Sequence, residues 1–577
     1  MVKPMVEPSP HADRPSGDFV LHSQLLGPLP ILNHFMDRIG VREALDAHVP
    51  ADDARLRLAP ATALGVVVAN LAVCHEPLYA LGEWARPYDP AVLGLGEGEA
   101  EALNDDRVGR CLSRLFDADR AGLLTDVVLR AVRAFGIDCS QLHNDSTSVT
   151  FTGAYRGATG RPRGGKATAA ICHGYNKDYR PDLKQLVWIL TVCADGAVPL
   201  VHRVASGNTS DDVTHVGTWD ALVALVGRSD FLYVADSKLC NRQAMDHIAS
   251  RGGRFVTVLP RTRREDRWFR DWVTRNTPEW TEATRHRDRR AGMGEDVVST
   301  FESPLGSSEG YRVIWVHSST KKSADAATRA RRIERAEAAL SDLVRRLVGP
   351  KCRMKTRVAV EAEVALALDE HHAAGYFETW VVEEVDKTYR AEHPGTPGPN
   401  TKFRQSTRPR FRLTWKLRNH VVRDDAASDG CWPLITNDSK LSPAEVVAAY
   451  KYQPNLERRH AQLKGPQAVA PVLLRDPARI EALLCCHFLA LLIEALIERQ
   501  IRLAMATSKT TAIPLYPEDR DCAAPSATRV LEIFAGVSRH RLIHRGSVVQ
   551  VFEPTLTPLQ EQVLKLLGVP LTAYRRS

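Results

Sequence analysis

Three acidic residues in this 577-residue chain lie where metal-dependent phosphoryl transfer would need them. That chemistry uses carboxylates converging from different elements to hold two Mg2+ (or Mn2+) ions about 4 Å apart, with positions left open for the phosphate. Asp145, in QLHNDST, and Asp236, in YVADSK, each close a short run that reads as a strand. A carboxylate at the end of a central strand projects from the sheet edge while its backbone stays rigid. Glu457, on a helix, is the candidate third acid. The plainer reading is a turn former or cap for each Asp, and a solvated helix face for Glu457 beside Arg458 and Arg459. Position alone leaves both readings open.

The elements that must position these acids follow from periodicity and punctuation. Residues 21–135 read as helical throughout: an apolar helix over Ala59–Cys74, a helix capped by Asn104, and a third with Asp117 as its candidate cap. From residue 136 the rhythm changes to strands. Asp138–Asp145 is a short strand, and Lys184–Cys193 and Ala197–Val204 flank an Ala-Asp-Gly turn as a hairpin. SGNTSDD (206–212) opens a helix to about Val226, Phe231–Ala235 is a central strand, and a helix (241–251) and a strand (254–259) follow. This is a mixed α/β order. Residues 261–440 break it, with ten Arg over 261–290, an Arg-rich helix at Ser323–Leu347, and alternating strands at Phe377–Val385 and Arg410–Arg418 around the loop HPGTPGPN. They read as an inserted basic domain. Helices return over 441–510, with a long buried one at Arg479–Met505, and 511–577 reads as a small helical region. Residues 1–20, Pro-rich and polar, read as a disordered tail.

Composition bounds the function classes. Apolar residues make up 44% of the chain, which excludes a wholly disordered or low-complexity protein. The formal charge of +8 is unevenly spread. Residues 21–136 hold 11 Arg and no Lys against 16 acids, whereas residues 261–440 hold 34 basic against 27 acidic side chains. Any polyanion grip is therefore expected from the insertion, along its Arg-rich helix, although Arg107, Arg110 and Arg114 form a helical row in the N-terminal region. Trp268, Trp272, Trp380 and Trp415 lie in the insertion, where core packing is the simpler reading. Eleven scattered cysteines without a CxxC motif suggest a reducing, cytoplasmic compartment, and the opening residues carry no apolar signal segment. The stretch Ala482–Ile497 reads as too short, and too interrupted by His487 and Glu494, to span a bilayer.

The segment Tyr450–Lys464 reads Tyr, two residues, Gln453, three residues, Glu457, six residues, Lys464. It resembles the YREK signature (Y-x2-R-x3-E-x6-K) of DDE transposases of bacterial insertion sequences, with Gln453 replacing the Arg. HNDSTSVTF, GYNKDYRPDLKQ, GNTSDD, YVADSK, DGCWPLITND and PVLLRDPARIEALLCCHFLALLI fit the same group, in the right order, from about residue 140 to 500.

That resemblance implies an RNase H-like core (136–260 and 441–510) split by a β-rich insertion, with helical N- and C-terminal regions. It makes Asp145, Asp236 and Glu457 the catalytic, metal-binding triad, with Asp145 between two Mg2+ or Mn2+ ions. Tyr450, Gln453, Lys464, Arg458 and Lys238 become DNA contacts. Gln453 brings no charge, so one phosphate contact of the signature is altered, with Arg458 or Lys451 as replacements. The implied partners are double-stranded DNA (terminal inverted repeats and target), with no membrane and a homodimer pairing two ends. The implied reaction is hydrolysis at a transposon end followed by strand transfer of the 3′-OH. The alternatives are a catalytically silent DNA-binding derivative and an RNase H-like nuclease without joining activity.

Overall fold

A computed structural model describes residues 19–51, 56–287, 294–349, 352–470 and 473–575. The tail expected over residues 1–20 falls outside these up to residue 18. The chain forms two compact units. The first comprises the chain up to Phe255 and from Lys451 onward, the second Val256–Tyr450. The chain enters the second unit inside the strand Arg254–Val258.

The first unit is built on a mixed sheet. Its strands are β1 (Gln141–Phe151), β2 (Lys184–Cys193), β3 (Pro199–Ser206) and β4 (Leu232–Ala235), laid side by side in the order β3-β2-β1-β4. β1, β2 and β3 are antiparallel, while β4 runs parallel to β1. Helix α1 (His215–Val226) makes the crossover between β3 and β4. β2 is buried along nearly its whole length, which explains its unbroken apolar run, KQLVWILTVC. Helix α2 (Gln453–Lys464) returns to pack on β1.

Beneath the sheet lies α3 (Pro477–Thr507), 31 residues long, with Pro477 at its first turn and Asp476 capping it by accepting from Ala478 N–H at 2.9 Å. It is long and apolar enough to cross a bilayer, which corrects the expectation from Ala482–Ile497. Yet 94% of its most apolar stretch is buried against protein, including the helices Pro60–Val73 and Asp105–Asp117. Helix α3 is a core helix in this fold.

Three local expectations are corrected. The N-terminal region is not helical throughout: Phe19–Leu25 is a strand, paired antiparallel with Ser538–His544, which in turn pairs with Ser547–Phe552. The C-terminal region is therefore part strand. Its Arg539 and Arg541 both reach the buried Asp89, at 2.9 and 3.1 Å. Third, Asp117 ends one helix, and Asp119 caps the next by accepting from Gly122 N–H at 3.0 Å.

The second unit carries the strands Arg312–Ser318, Cys431–Thr436 and Glu295–Glu302 in one antiparallel sheet, and a separate two-stranded ribbon. The ribbon strands, β5 (Phe377–Ala391) and β6 (Phe403–Leu417), are 15 residues each, longer than their sequence alternation marked. At the ribbon base Phe377, Val381, Phe411 and Leu413 pack on Leu340, Leu343, Val360 and Val364 from two helices, Ser319–Val348 and Arg357–Glu370. Trp415 joins this core from its margin, Trp268 and Trp272 stack on each other, and Trp380 is 44% exposed.

Glu494, inside α3, is fully buried and accepts from Gln462 and Gln467 side-chain amides at 2.6 and 2.9 Å. Burial pushes its carboxyl up to about 8. The folded protein thus holds a proton there that the unfolded chain releases near pH 4.5, so this contribution to stability declines as pH rises from about 5 to 8. Chemical denaturation across that range should show a downward slope in wild type that Glu494→Gln flattens. An unchanged slope would exclude Glu494 as its source.

Candidate active site

The parallel register of β1 and β4 pairs Gln141 with Leu232 and so on to Asn144 with Ala235. One step further, Asp145 comes level with Asp236. Neighbouring strands lie about 4.8 Å apart, so the two acids stand side by side where β4 stops. Asp236 does end its strand, and its side chain accepts from Lys238 N–H at 3.0 Å as the cap of the turn Ser237–Leu239. Asp145 does not end its own strand. β1 continues to Phe151 because β2 pairs with it throughout, and the site opens at Asp145 because the neighbour on the other side has finished.

A lysine stands at the centre of the site. Lys177 Nζ lies 3.3 Å from Asp145 Oδ1 and 3.2 Å from Asp211 Oδ2, and donates to Ser146 O at 2.7 Å and Ser146 Oγ at 2.8 Å. Ser146 Oγ donates in turn to Asp211 Oδ1 at 2.6 Å. The loop carrying Lys177 is folded by Asn176, whose side-chain oxygen accepts from Asp178 N–H at 2.8 Å and Arg180 N–H at 3.2 Å. It is also anchored by Gln185, which donates to Tyr175 O and Gly207 O. Gly207 of GNTSDD has to be glycine: a Cβ there would sit 2.1 Å from Gln185 O and 2.4 Å from Cys172 O.

Burial raises the pKa of both Asp145 and Asp236; Lys177 pulls against this at each, while at Asp236 the Asp145 charge adds to it. Burial also works against the Lys177 ammonium, but Asp145 and Asp211 outweigh it and raise its pKa. The site thus concentrates negative charge around one cation.

Helix α2 presents Gln453, Glu457, His460 and Lys464 at intervals of four, three and four, which is a single helix face. Gln453 is buried, its Oε1 2.9 Å from His143 Nδ1 and its Nε2 donating to Asn144 O at 3.2 Å. His460 Nδ1 lies 3.7 Å from Asp145 Oδ2, beyond hydrogen-bond reach, and burial lowers its pKa to about 3, so the ring is neutral. Lys464 Nζ donates to Asp178 Oδ1 at 2.5 Å. Glu457 occupies the same face, exposed to solvent and without a hydrogen bond or ion pair among the described residues.

The helix is held by Arg459, almost completely buried. It donates to Ala197 O and Gly196 O, both at 3.0 Å, in the β2–β3 turn, and pairs with Glu498 of α3 at 2.9 Å.

The expected site residues therefore divide. Asp145 and Asp236 adjoin, and Glu457 shares the helix face that seats on β1. Gln453 serves packing and hydrogen bonding in the interior. Arg458 is exposed, bonded to Asn455 at 3.3 Å, and Lys238 is exposed with its backbone engaged by Asp236. Tyr450 ends the helix Pro443–Tyr450 in the second unit, half-buried. In the N-terminal row Arg107, Arg110 and Arg114 bond to Ala102 O, Asp106 and Pro50 O. Lys177, Asp211 and His460 were given no role from sequence, although all three lie within quoted boxes. Among the described residues no three His, Cys, Asp or Glu side chains stand close enough to hold a metal ion.

Residues 21–129 match the model of a domain of unknown function, DUF4277. No curated protein matches the chain. Among solved structures, a cryo-EM structure of the piggyBac transposase synaptic complex with hairpin DNA is similar at 10% identity, with a TM-score of 0.24. The similarity covers 50% of this chain and 60% of that one, so the chain spans less than two thirds of that structure's length.

Two substitutions test these roles. Gln453→Ala should lower stability by about 1–3 kcal/mol through the unpaired His143. Arg459→Ala, which bares the Gly196 and Ala197 carbonyls and leaves Glu498 with Arg502 and the Ala527 N–H as partners, should cost about 1–3 kcal/mol in denaturant unfolding. Unchanged stability in Gln453→Ala would exclude it as a structural contact.

Proposed function

We propose that the chain is a DNA transposase of the DDE type, with an RNase H-like core and Asp145, Asp236 and Glu457 as its acidic triad. The observation that carries this reading is the parallel register that sets Asp145 level with Asp236, faced by the α2 surface that bears Glu457. The strand order β3-β2-β1-β4, with three antiparallel strands followed by a parallel one, agrees with such a core. Sequence boxes in the order of that transposase group support it independently.

The two adjoining carboxylates suit a hard divalent cation in chemistry, because carboxylate oxygens are the ligands that Mg2+ and Mn2+ prefer. Asp145 and Asp236 would hold the ion, with Glu457 completing the set from α2. When bound, such an ion supplies Lewis-acid polarisation of a phosphodiester and lowers the pKa of water.

The chain's own residues do the rest. Lys177 balances Asp145 and Asp211 and holds the two in fixed relation before an ion arrives. His460, neutral, fills the space behind Asp145 without adding charge. Lys464 stands at the outer end of the same face, placed for a phosphate once Asp178 yields it. Gln453 contributes through His143 and the backbone of Asn144, so it steadies the strand beneath Asp145 and makes no phosphate contact. Double-stranded DNA is the partner in this reading, with two copies of the chain pairing two ends.

The test is cleavage of a duplex carrying the element's own ends with Mg2+ or Mn2+. A 3′-OH should be released at the end, and Asp145→Ala, Asp236→Ala and Glu457→Ala should each abolish it. Activity surviving in any one variant removes that residue from the triad. Release without joining to a second duplex would favour a nuclease.

A further inference from the structure

The distal half of the β5–β6 ribbon is built unlike its base. Beyond Val381 and Phe411 no residue of either strand is buried, so both faces of the ribbon meet solvent. Residues 387–408 hold Lys387, Arg390, Lys402, Arg404 and Arg408 against a single acid, Glu392. Nearer the base, acids are neutralised within the ribbon, Glu384 by Arg412 at 3.0 Å and Asp386 by Arg410 at 3.7 Å. The five distal cations form no ion pair among the described residues.

The register sharpens this. Arg390 is paired directly with Arg404, and Arg408 with Asp386, so all three arginines lie on one face. Like charges directly opposite on a two-stranded ribbon destabilise it. Asp386 and Glu392 are the acids of that face, and neither forms an ion pair with Arg390, Arg404 or Arg408 among the described residues. The opposite face carries Tyr389, 62% exposed, and Phe403, 50% exposed. The Arg-rich helix Ser319–Val348 uses part of its charge internally, while Arg331, Arg332 and Arg335 are exposed. Its Arg329 is buried against Asp429 at 2.7 Å, and Arg345 and Arg346 pair with Asp342 and Glu363.

We propose that the tip of this ribbon is a duplex-DNA contact, with the Arg390, Arg404 and Arg408 face bound to backbone phosphates of a groove. The shape suits it: five residues of antiparallel strand beyond Asp386 extend about 17 Å. A two-stranded ribbon fits a major groove about 12 Å wide. The contact reads charge, not sequence, and rests on the DNA reading above only in its choice of polyanion.

The test uses the full chain and a labelled 30-base-pair duplex of arbitrary sequence, in chelator, with anisotropy measured over a salt series. R390A/R404A/R408A should bind on the order of tenfold more weakly, with a log affinity–log salt slope shallower by about 2.7 for three phosphates lost. R390K/R404K/R408K should keep the wild-type slope. An unchanged slope in the alanine variant overturns the proposal, and is the result expected if the ribbon serves an acidic protein surface. Loss of slope in the lysine variant also overturns it, because the arginines would then act through ribbon structure. Absence of cleavage with the salt response intact would sink the transposase reading and leave the ribbon contact standing.

Discussion

The candidate site depends on one buried guanidinium. Arg459 has no apolar substitute, because it satisfies two carbonyls of the β2–β3 turn and one carboxylate of the core helix at once. A tight turn inside a protein leaves its carbonyls without ladder partners, and each would carry a desolvation cost if left bare. Meeting that need fixes where α2 lies along the sheet and how it is rotated. Rotation matters most, since the residues on either side of Arg459 by one helical step include His460 and Arg458, and the former faces Asp145 while the latter faces solvent. The site's geometry is thus inherited from a structural debt at the far end of the hairpin.

Much of this was legible in sequence because it follows local rules. The hairpin at Ala-Asp-Gly, the apolar strand before Asp236 and the Pro-initiated helices have short-range causes. What escaped has long-range causes. Asp145 lies within a longer strand, because its length is set by the partner β2 and not by its own residues. The strand Phe19–Leu25 exists through pairing with a segment more than 500 residues away, which no window reveals. The hydrogen bond of Gln453 to His143, 310 positions earlier, lies equally beyond any local signature. Lys177, Asp211 and His460 were present in recognisable boxes, but which of them meet is decided by a loop folded on Asn176. The RNase H-like assignment and the triad itself remain readings built on resemblance and register together.

Charge is handled differently in the two units. In the first, cations are spent: Lys177, Arg459, Arg499 and Arg539 each answer a buried or half-buried carboxylate. In the ribbon they are left over. A modest overall excess of +8 therefore conceals an interior close to internal balance and an extended tip that is not. Mean charge was a poor guide to a binding surface here, whereas cross-strand register located one.

Placing 220 residues between Asp236 and Glu457 has a consequence for synthesis. At about 5–20 residues per second, a ribosome needs roughly ten to forty seconds to pass from one to the other. During that interval β1–β4 have emerged, but neither α2 nor the core helix that lies beneath them exists. The strands wait with their apolar undersides bare, and the second unit must fold while tethered between halves of an unfinished first. The nascent chain therefore cannot complete the proposed centre of Asp145, Asp236 and Glu457 until Glu457 has been made, and a product terminated before that residue lacks it.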